Sequence, residues 1–127
     1  MRQVHPDELH AVWPLIKDGL EKVKARCHEV WIAEDVYASI KTGASTLHLK
    51  DDGFLVLTPT RQAHTGKPVL HVWIAYSAGS NQEEGETYLD RIAKQYGFQL
   101  ITMKSPRRGW ERRGWFPACI EYQREVK

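Results

Sequence analysis

Cysteine is scarce in this sequence: Cys27 and Cys119 are the only two in 127 residues, far apart and without a CxxC pair. That rules out a disulfide framework and leads to the expectation of two reduced packing thiols. Long apolar runs are missing as well. None approaches the roughly 18 residues that span a bilayer, and the opening MRQVHPDELH lacks the apolar centre of a signal peptide. A cytoplasmic location is expected, with no membrane partner. Charge of one sign is not in excess, since 18 basic and 16 acidic residues leave +2, too little to require a polyanionic partner. Neither a G-x-S-x-G nor a P-loop sequence occurs, which removes the commonest serine-hydrolase and nucleotide-hydrolysis readings. His5, His10, His28, His48, His64 and His71 show no paired spacing with Cys, Asp or Glu, so no metal site is expected.

The chain does have an ordinary globular balance, 42% hydrophobic and 27% charged, over a length that suits one domain, residues 1–127. Leu9, Val12, Ile16, Leu20 and Val23 recur every three or four positions and predict a helix between His5 and Arg26. Pro14 conflicts with its continuity, so a kink or a start close to Trp13 is expected. A second helix, about Glu34 to Lys41, points Val36 and Ile40 inward and stops at Gly43.

Beyond Gly43 the period falls to two. STLHLK and FLVLTPT predict strands joined at Asp51-Asp52-Gly53, where Asp-Gly tolerates the positive φ angles of tight turns. After the polar connector RQAHTGKP, the β-branched and aromatic VLHVWIAYS predicts a long, mostly buried strand. Ser80-Asn81-Gln82-Glu83 has the form of a capping box for a helix that buries Leu89, Ile92, Ala93 and Tyr96 and ends before Gly97. FQLITM predicts another strand. In SPRRGWERRGWFP, Ser105 caps and Pro106 opens a short helix that stops at Gly114, and Phe116 to Glu125 alternates as a last strand. The order ααβββαβαβ gives an α/β (α+β) fold, a mixed, mainly antiparallel central sheet with helices on both faces.

This layout, with the stretch GWERRGWF, resembles the GNAT superfamily of N-acetyltransferases over nearly the whole chain. Glu111, Gly114 and Trp115 stand at the Glu, Gly and Phe positions of that family's C-terminal Tyr-Glu-Lys-x-Gly-Phe stretch. AVWPLIKDGL and SPRRGWERRGW are similar to small GNAT-like proteins encoded by tailed phages and prophages, for which the location would be the host cytoplasm. The resemblance implies acetyl-CoA as cofactor. Its pyrophosphate would lie on backbone amides of a Gly-rich loop between the family's fourth strand and the next helix, where free N–H groups attract anions.

In this sequence that loop is Ser77 to Glu86, with Gly79 and Gly85 off the family's spacing and with Glu83, Glu84 and Glu86 beside the incoming diphosphate. A unit charge against another at about 4 Å costs about 1 kcal/mol in water and about 4 at an effective dielectric near 20, so the usual cofactor mode should be weak. Where many family members carry a Tyr that protonates the leaving thiolate, this chain has Trp110, whose indole is no acid near neutral pH. Tyr88, Tyr96 and Tyr122 are substitutes among which the sequence does not choose.

Three readings stay open. In the first, a GNAT-like domain with a degenerate acetyl-CoA site works as a binding or assembly module for a protein partner or a second copy of itself. The second is an active N-acetyltransferase for a small or protein amine. It would use the Gly79 and Ser80 amides for the pyrophosphate, Arg107 and Arg108 for the other CoA phosphate, and His71 as base. His71 shares a face with Trp73 and Ala75 if its strand is regular, although a lone His on an apolar strand is more often structural. The third is nucleic-acid contact through Arg107, Arg108, Arg112 and Arg113 with Trp110 stacking, the least expected of the three. Trp110, Arg112 and Arg113 are the candidate interaction surface.

Overall fold

The computed structural model describes residues 1–27, 29–79, 82–105, 108–118, 120 and 122–126. The stripe read from the sequence becomes the inner face of α1 (Leu9–Arg26), which buries Leu9, Ile16 and Leu20 and half-buries Val12 and Val23. Pro14 lies inside α1, which starts at Leu9 and not close to Trp13. Its ring removes the N–H that would reach the His10 carbonyl, but both residues are on the exposed side, where water can take that carbonyl. Ahead of α1 stand a 3-10 turn (Pro6–Glu8) and a strand absent from the expected order, β1 (Arg2–Val4). Three residues are too few to display a period. α2 (Ala33–Lys41) buries Val36 and Ile40 as expected, and Ala33 beside them.

β2 (Thr46–Lys50), β3 (Gly53–Arg61) and β4 (Pro68–Ser77) form the antiparallel meander. β1 pairs antiparallel with β2 at one edge, and β5 (Leu100–Met103) lies parallel to β4 at the other, so the sheet order is β1-β2-β3-β4-β5. α3 (Gln82–Tyr96) makes the crossover between β4 and β5. α1 and α2 cover one face, packing Leu20, Val36 and Ile40 on Leu47, Val56 and Ile74; α3 covers the other with Tyr88, Leu89 and Ala93 on Leu57, Leu70 and Val72. Tyr96, expected on the buried face, is exposed. Phe98, whose N–H bonds the Ala93 carbonyl, packs there instead.

Two expectations near the end of the chain are corrected. The stretch after Ser105 is a 3-10 turn over Trp110–Arg113, flanked by Gly109 and Gly114 in the left-handed region, and these two reversals leave no room for a helical turn to propagate. Pro106 and Arg107 lie outside the described residues. Phe116 to Glu125 forms no strand among the described residues, of which Cys119 and Glu121 are not part. Alternation makes a segment fit for a sheet, but a strand forms only where an edge receives it. Among the described residues no helix is long and apolar enough to cross a membrane.

Candidate functional site

β4 holds one residue more than β3 between the pairs Val56↔Ile74 and Leu57↔Val72, which leaves Trp73 without an opposite number. Such a bulge bends the strand and inverts its side-chain alternation. Leu70 and Val72 therefore pack on the α3 side, while Ile74 and Tyr76 pack on the α1 side. The bulge keeps His71 and Trp73 towards α1 but turns Ala75 to the other face, so the shared face expected for all three residues does not form. β4 also parts from β5 at this point. The parallel pairing ends at Val72↔Met103, and residues 74–77 of β4 pair only with β3.

The gap so opened is a cavity of about 230 Å³. Trp31, Trp73, Trp110 and Trp115 line it with Val72, Leu89 and Met103, and Arg26, Glu29, Lys50, Glu86 and Lys104 supply its charged groups. Two of these charges, Glu86 and Lys50, are already matched. Glu86 of α3 takes two bonds of 2.9 Å from Arg113 Nε and one of 2.6 Å from its Nη2, and accepts Trp115 Nε1 at 3.0 Å. Arg113 chiefly, with the Trp115 indole adding to it against partial burial, holds the Glu86 carboxyl below its ordinary value. Trp110 donates Nε1 to Ser105 Oγ at 3.0 Å and meets Trp115 edge-on, with ring centroids 6.2 Å apart. The basic, Trp-rich stretch is thus fastened onto the start of α3. Arg113 is spent on Glu86, and Arg108 and Arg112 remain exposed on the turn.

At the same end of the sheet, the Lys50 ammonium lies 3.3 Å from Asp52. The Asp52 carboxylate lies against the Gly79 backbone, and Ser77 Oγ donates to it at 3.4 Å. The Ala78 N–H bonds the Asp52 carbonyl at 2.7 Å. Partial burial raises the Asp52 pKa, but Lys50 and the backbone amides outweigh it and hold the carboxyl below its ordinary value. A Cβ on Gly79 would overlap the carboxylate, so glycine is what lets Asp52 reach the loop.

Of the residues expected at a site, Gly79 and Trp110 line the cavity. Ser80 and Arg107 lie outside the described residues, and Arg108 is exposed. His71 is not among the lining residues; its Nδ1 bonds Thr102 Oγ1 at 2.8 Å across β4 and β5. Burial first, then the charge of Lys104, push it below the ordinary imidazole value, with Glu29 opposing. Tyr88 is turned away, its hydroxyl bonded to the buried His48, whose Nε2 lies 2.8 Å from Thr46 Oγ1. Tyr96 and Tyr122 are exposed. Cys27 is a free thiol on the cavity wall, which burial raises in pKa, and Cys119 lies outside the described residues. Among the described residues no three His, Cys, Asp or Glu side chains converge as a metal would need.

Sequence reasoning missed Asp52, Lys50, Glu29 and Trp31. Asp52 was legible in principle, because a meander brings the β2–β3 turn and the end of β4 to one end of the sheet, with Gly53 opposite Ser77.

No known protein-family pattern matches the sequence, and no curated protein matches it significantly. Solved structures do match. A probable acetyltransferase is similar at a TM-score of 0.67 and 16% identity, over 100% of this chain and 99% of that one. An aminoglycoside acetyltransferase from an uncultured soil metagenomic sample gives 0.66 and 13%, over 99% and 95%. The ribosomal-protein-alanine N-acetyltransferase of Brucella melitensis biovar Abortus gives 0.63 and 14%, over 98% and 97%.

The chain has the fold of the GNAT acetyltransferases.

In a GNAT fold the loop after β4 and the start of α3 are where the diphosphate of acetyl-CoA is to be tested. The Asp52 carboxylate lies against Gly79 in that loop, and Glu83 and Glu84 occupy the first turn of α3, where a second anion is least welcome.

Proposed function

We propose that this protein is a binding module built on the GNAT fold, with a degenerate acetyl-CoA site. In this reading the cleft takes an uncharged, largely apolar ligand or an apolar side chain of a partner. The observation that carries it is the Asp52 carboxylate lying against Gly79, an anion of this chain in the loop that a GNAT enzyme would offer to a diphosphate. The cavity supports the ligand class. Four Trp side chains form much of its wall, and two of its charged groups, Glu86 and Lys50, are already matched by Arg113 and Asp52. The likeness of AVWPLIKDGL and SPRRGWERRGW to small phage and prophage proteins supports an assembly role in that setting. Titration with an uncharged apolar dye such as Nile red tests the reading. Saturable binding that weakens on Trp73→Ser is expected, and no binding, or binding indifferent to that change, would count against it.

A second reading is a CoA-dependent N-acetyltransferase with a non-standard site. It is favoured by one observation, the neutralisation of Glu86 by Arg113, which removes one of the three carboxylates held against the cofactor. Release of free CoA from acetyl-CoA in the presence of an amine would decide for it.

A further inference from the structure

The cations around the cavity fall into two groups. Lys50 and Arg113 are held by carboxylates of this chain, Asp52 and Glu86. Arg26 at the end of α1 and Lys104 directly after β5 line the same cavity, are exposed, and have no ion-pair partner among the described residues. Arg108 and Arg112 are exposed and unpaired in the same sense, on the stretch whose Trp110 and Trp115 line the cavity. Four unpaired cations therefore stand against two carboxylates, Glu29 on the wall and Glu111 on the turn, and the surround keeps a positive excess of two.

The interior has the opposite character, walled by Trp31, Trp73, Val72, Leu89 and Met103. An engineered cavity of about 150 Å³ holds a benzene ring, so about 230 Å³ is room for one aromatic or large aliphatic side chain. An apolar centre ringed by unmatched charge is the layout of an anchor site, where one buried side chain supplies affinity and rim charges select the partner. The carboxylates that would repel phosphates, Asp52, Glu83 and Glu84, belong to the β2–β3 turn and the start of α3. The unpaired cations come instead from α1, the end of β5 and the Trp110–Arg113 turn. Carboxylates flanking an anchor can meet the second group without entering the first.

Resting on the binding-module reading above, we propose that the cavity seats one apolar side chain of an acidic segment from a protein partner, with the segment's carboxylates on Arg26, Lys104 and Arg112. Nucleic acid fits less well, because an excess of two charges supports few phosphate contacts and Glu29 stands in the wall.

Fluorescence polarisation of a labelled, N-acetylated peptide with a central Phe flanked by Asp and Glu tests this, with Nile red as the neutral reference. Saturable binding of the peptide, displacement of Nile red, and an affinity that falls from low to moderate salt are expected. The double variant Arg26→Glu, Lys104→Glu, which alters exposed side chains alone, should weaken the peptide by about tenfold or more and leave Nile red unchanged. Exchanging the peptide's Phe for Ser should weaken it as well. If Nile red binds but the peptide does not, or if the peptide ignores either change, the inference falls while the binding-module reading stands. Failure of both ligands overturns both. Binding of duplex DNA that the charge reversal abolishes, without binding of the peptide, would assign the same cations to nucleic acid and overturn the inference.

Discussion

The carboxylate of Asp52 lies against Gly79 while its carbonyl accepts the Ala78 N–H, bridging the β2–β3 turn and the loop that leads from β4 into α3. The contact joins two parts of the chain that would otherwise be independent, and it places a negative charge at the loop where the fold would receive a diphosphate.

Asp52→Ala uncovers Gly79 and removes that charge. Binding of CoA, absent from the natural sequence at millimolar ligand, should become measurable by calorimetry at low salt, since one repulsive unit charge in the site is gone. Asp52→Asn, which keeps an acceptor oxygen for Gly79, should give a smaller gain. Unchanged affinity in both variants would show that Asp52 does not guard the loop.

Glu86 fastens the Trp110–Trp115 segment through Arg113 and Trp115, so Glu86→Ala should release it. Near-ultraviolet circular dichroism and Trp emission should then change while the far-ultraviolet spectrum stays the same. The depressed Glu86 value carries a sign as well: its contribution is complete above the ordinary carboxyl range and is lost as pH falls through the folded value, so acid should mimic the substitution.

His48 is buried, and burial lowers its pKa from 6.5 to about 4. A folded value below the unfolded one means that stability is complete above about pH 6.5 and falls as pH drops towards 4, by about 2 kcal/mol near pH 5 and about 3 at full protonation. Urea denaturation at pH 7 and near 5 measures it. His48→Gln should remove most of the slope, leaving only what His71 and the carboxylates contribute.

Gly19 faces the sheet from α1, where an added Cβ would lie 2.5 Å from Phe54 Cε1 and 3.1 Å from Tyr76 Cδ2. Gly19→Ala gains about 1 kcal/mol of helix propensity and meets overpacking of about 1–3 kcal/mol. Because Phe54 is itself buried and stacked on Tyr76, the crowding should win, and urea midpoints should show a net loss of about 1 kcal/mol.

Local signals carried most of the fold. The stripe from Leu9 to Val23, the Asp-Gly turn and the alternation of β2 and β3 each state one face and one period, and each element formed where its pattern lies. Pairing and place were harder to read. The bulge at Trp73 leaves no mark in a strand that is apolar almost throughout, yet it decides which residues of β4 meet the cavity, while His71 lies where β4 is still paired with β5. The strand expected after Phe116 has the right alternation, but a strand also needs an edge, and the sequence of one chain does not say whose edge that is. Asp52 read as a turn residue because its second role depends on a loop 27 positions away in sequence at Gly79, joined to it by the meander.

Calorimetric titration of the purified protein with acetyl-CoA and with CoA, at low and moderate salt, decides whether the cleft still takes the cofactor. An Asp52 carboxylate resident against Gly79 predicts no measurable heat and no thermal shift at millimolar ligand. Micromolar binding would contradict it and make the acetyltransferase reading the one to pursue.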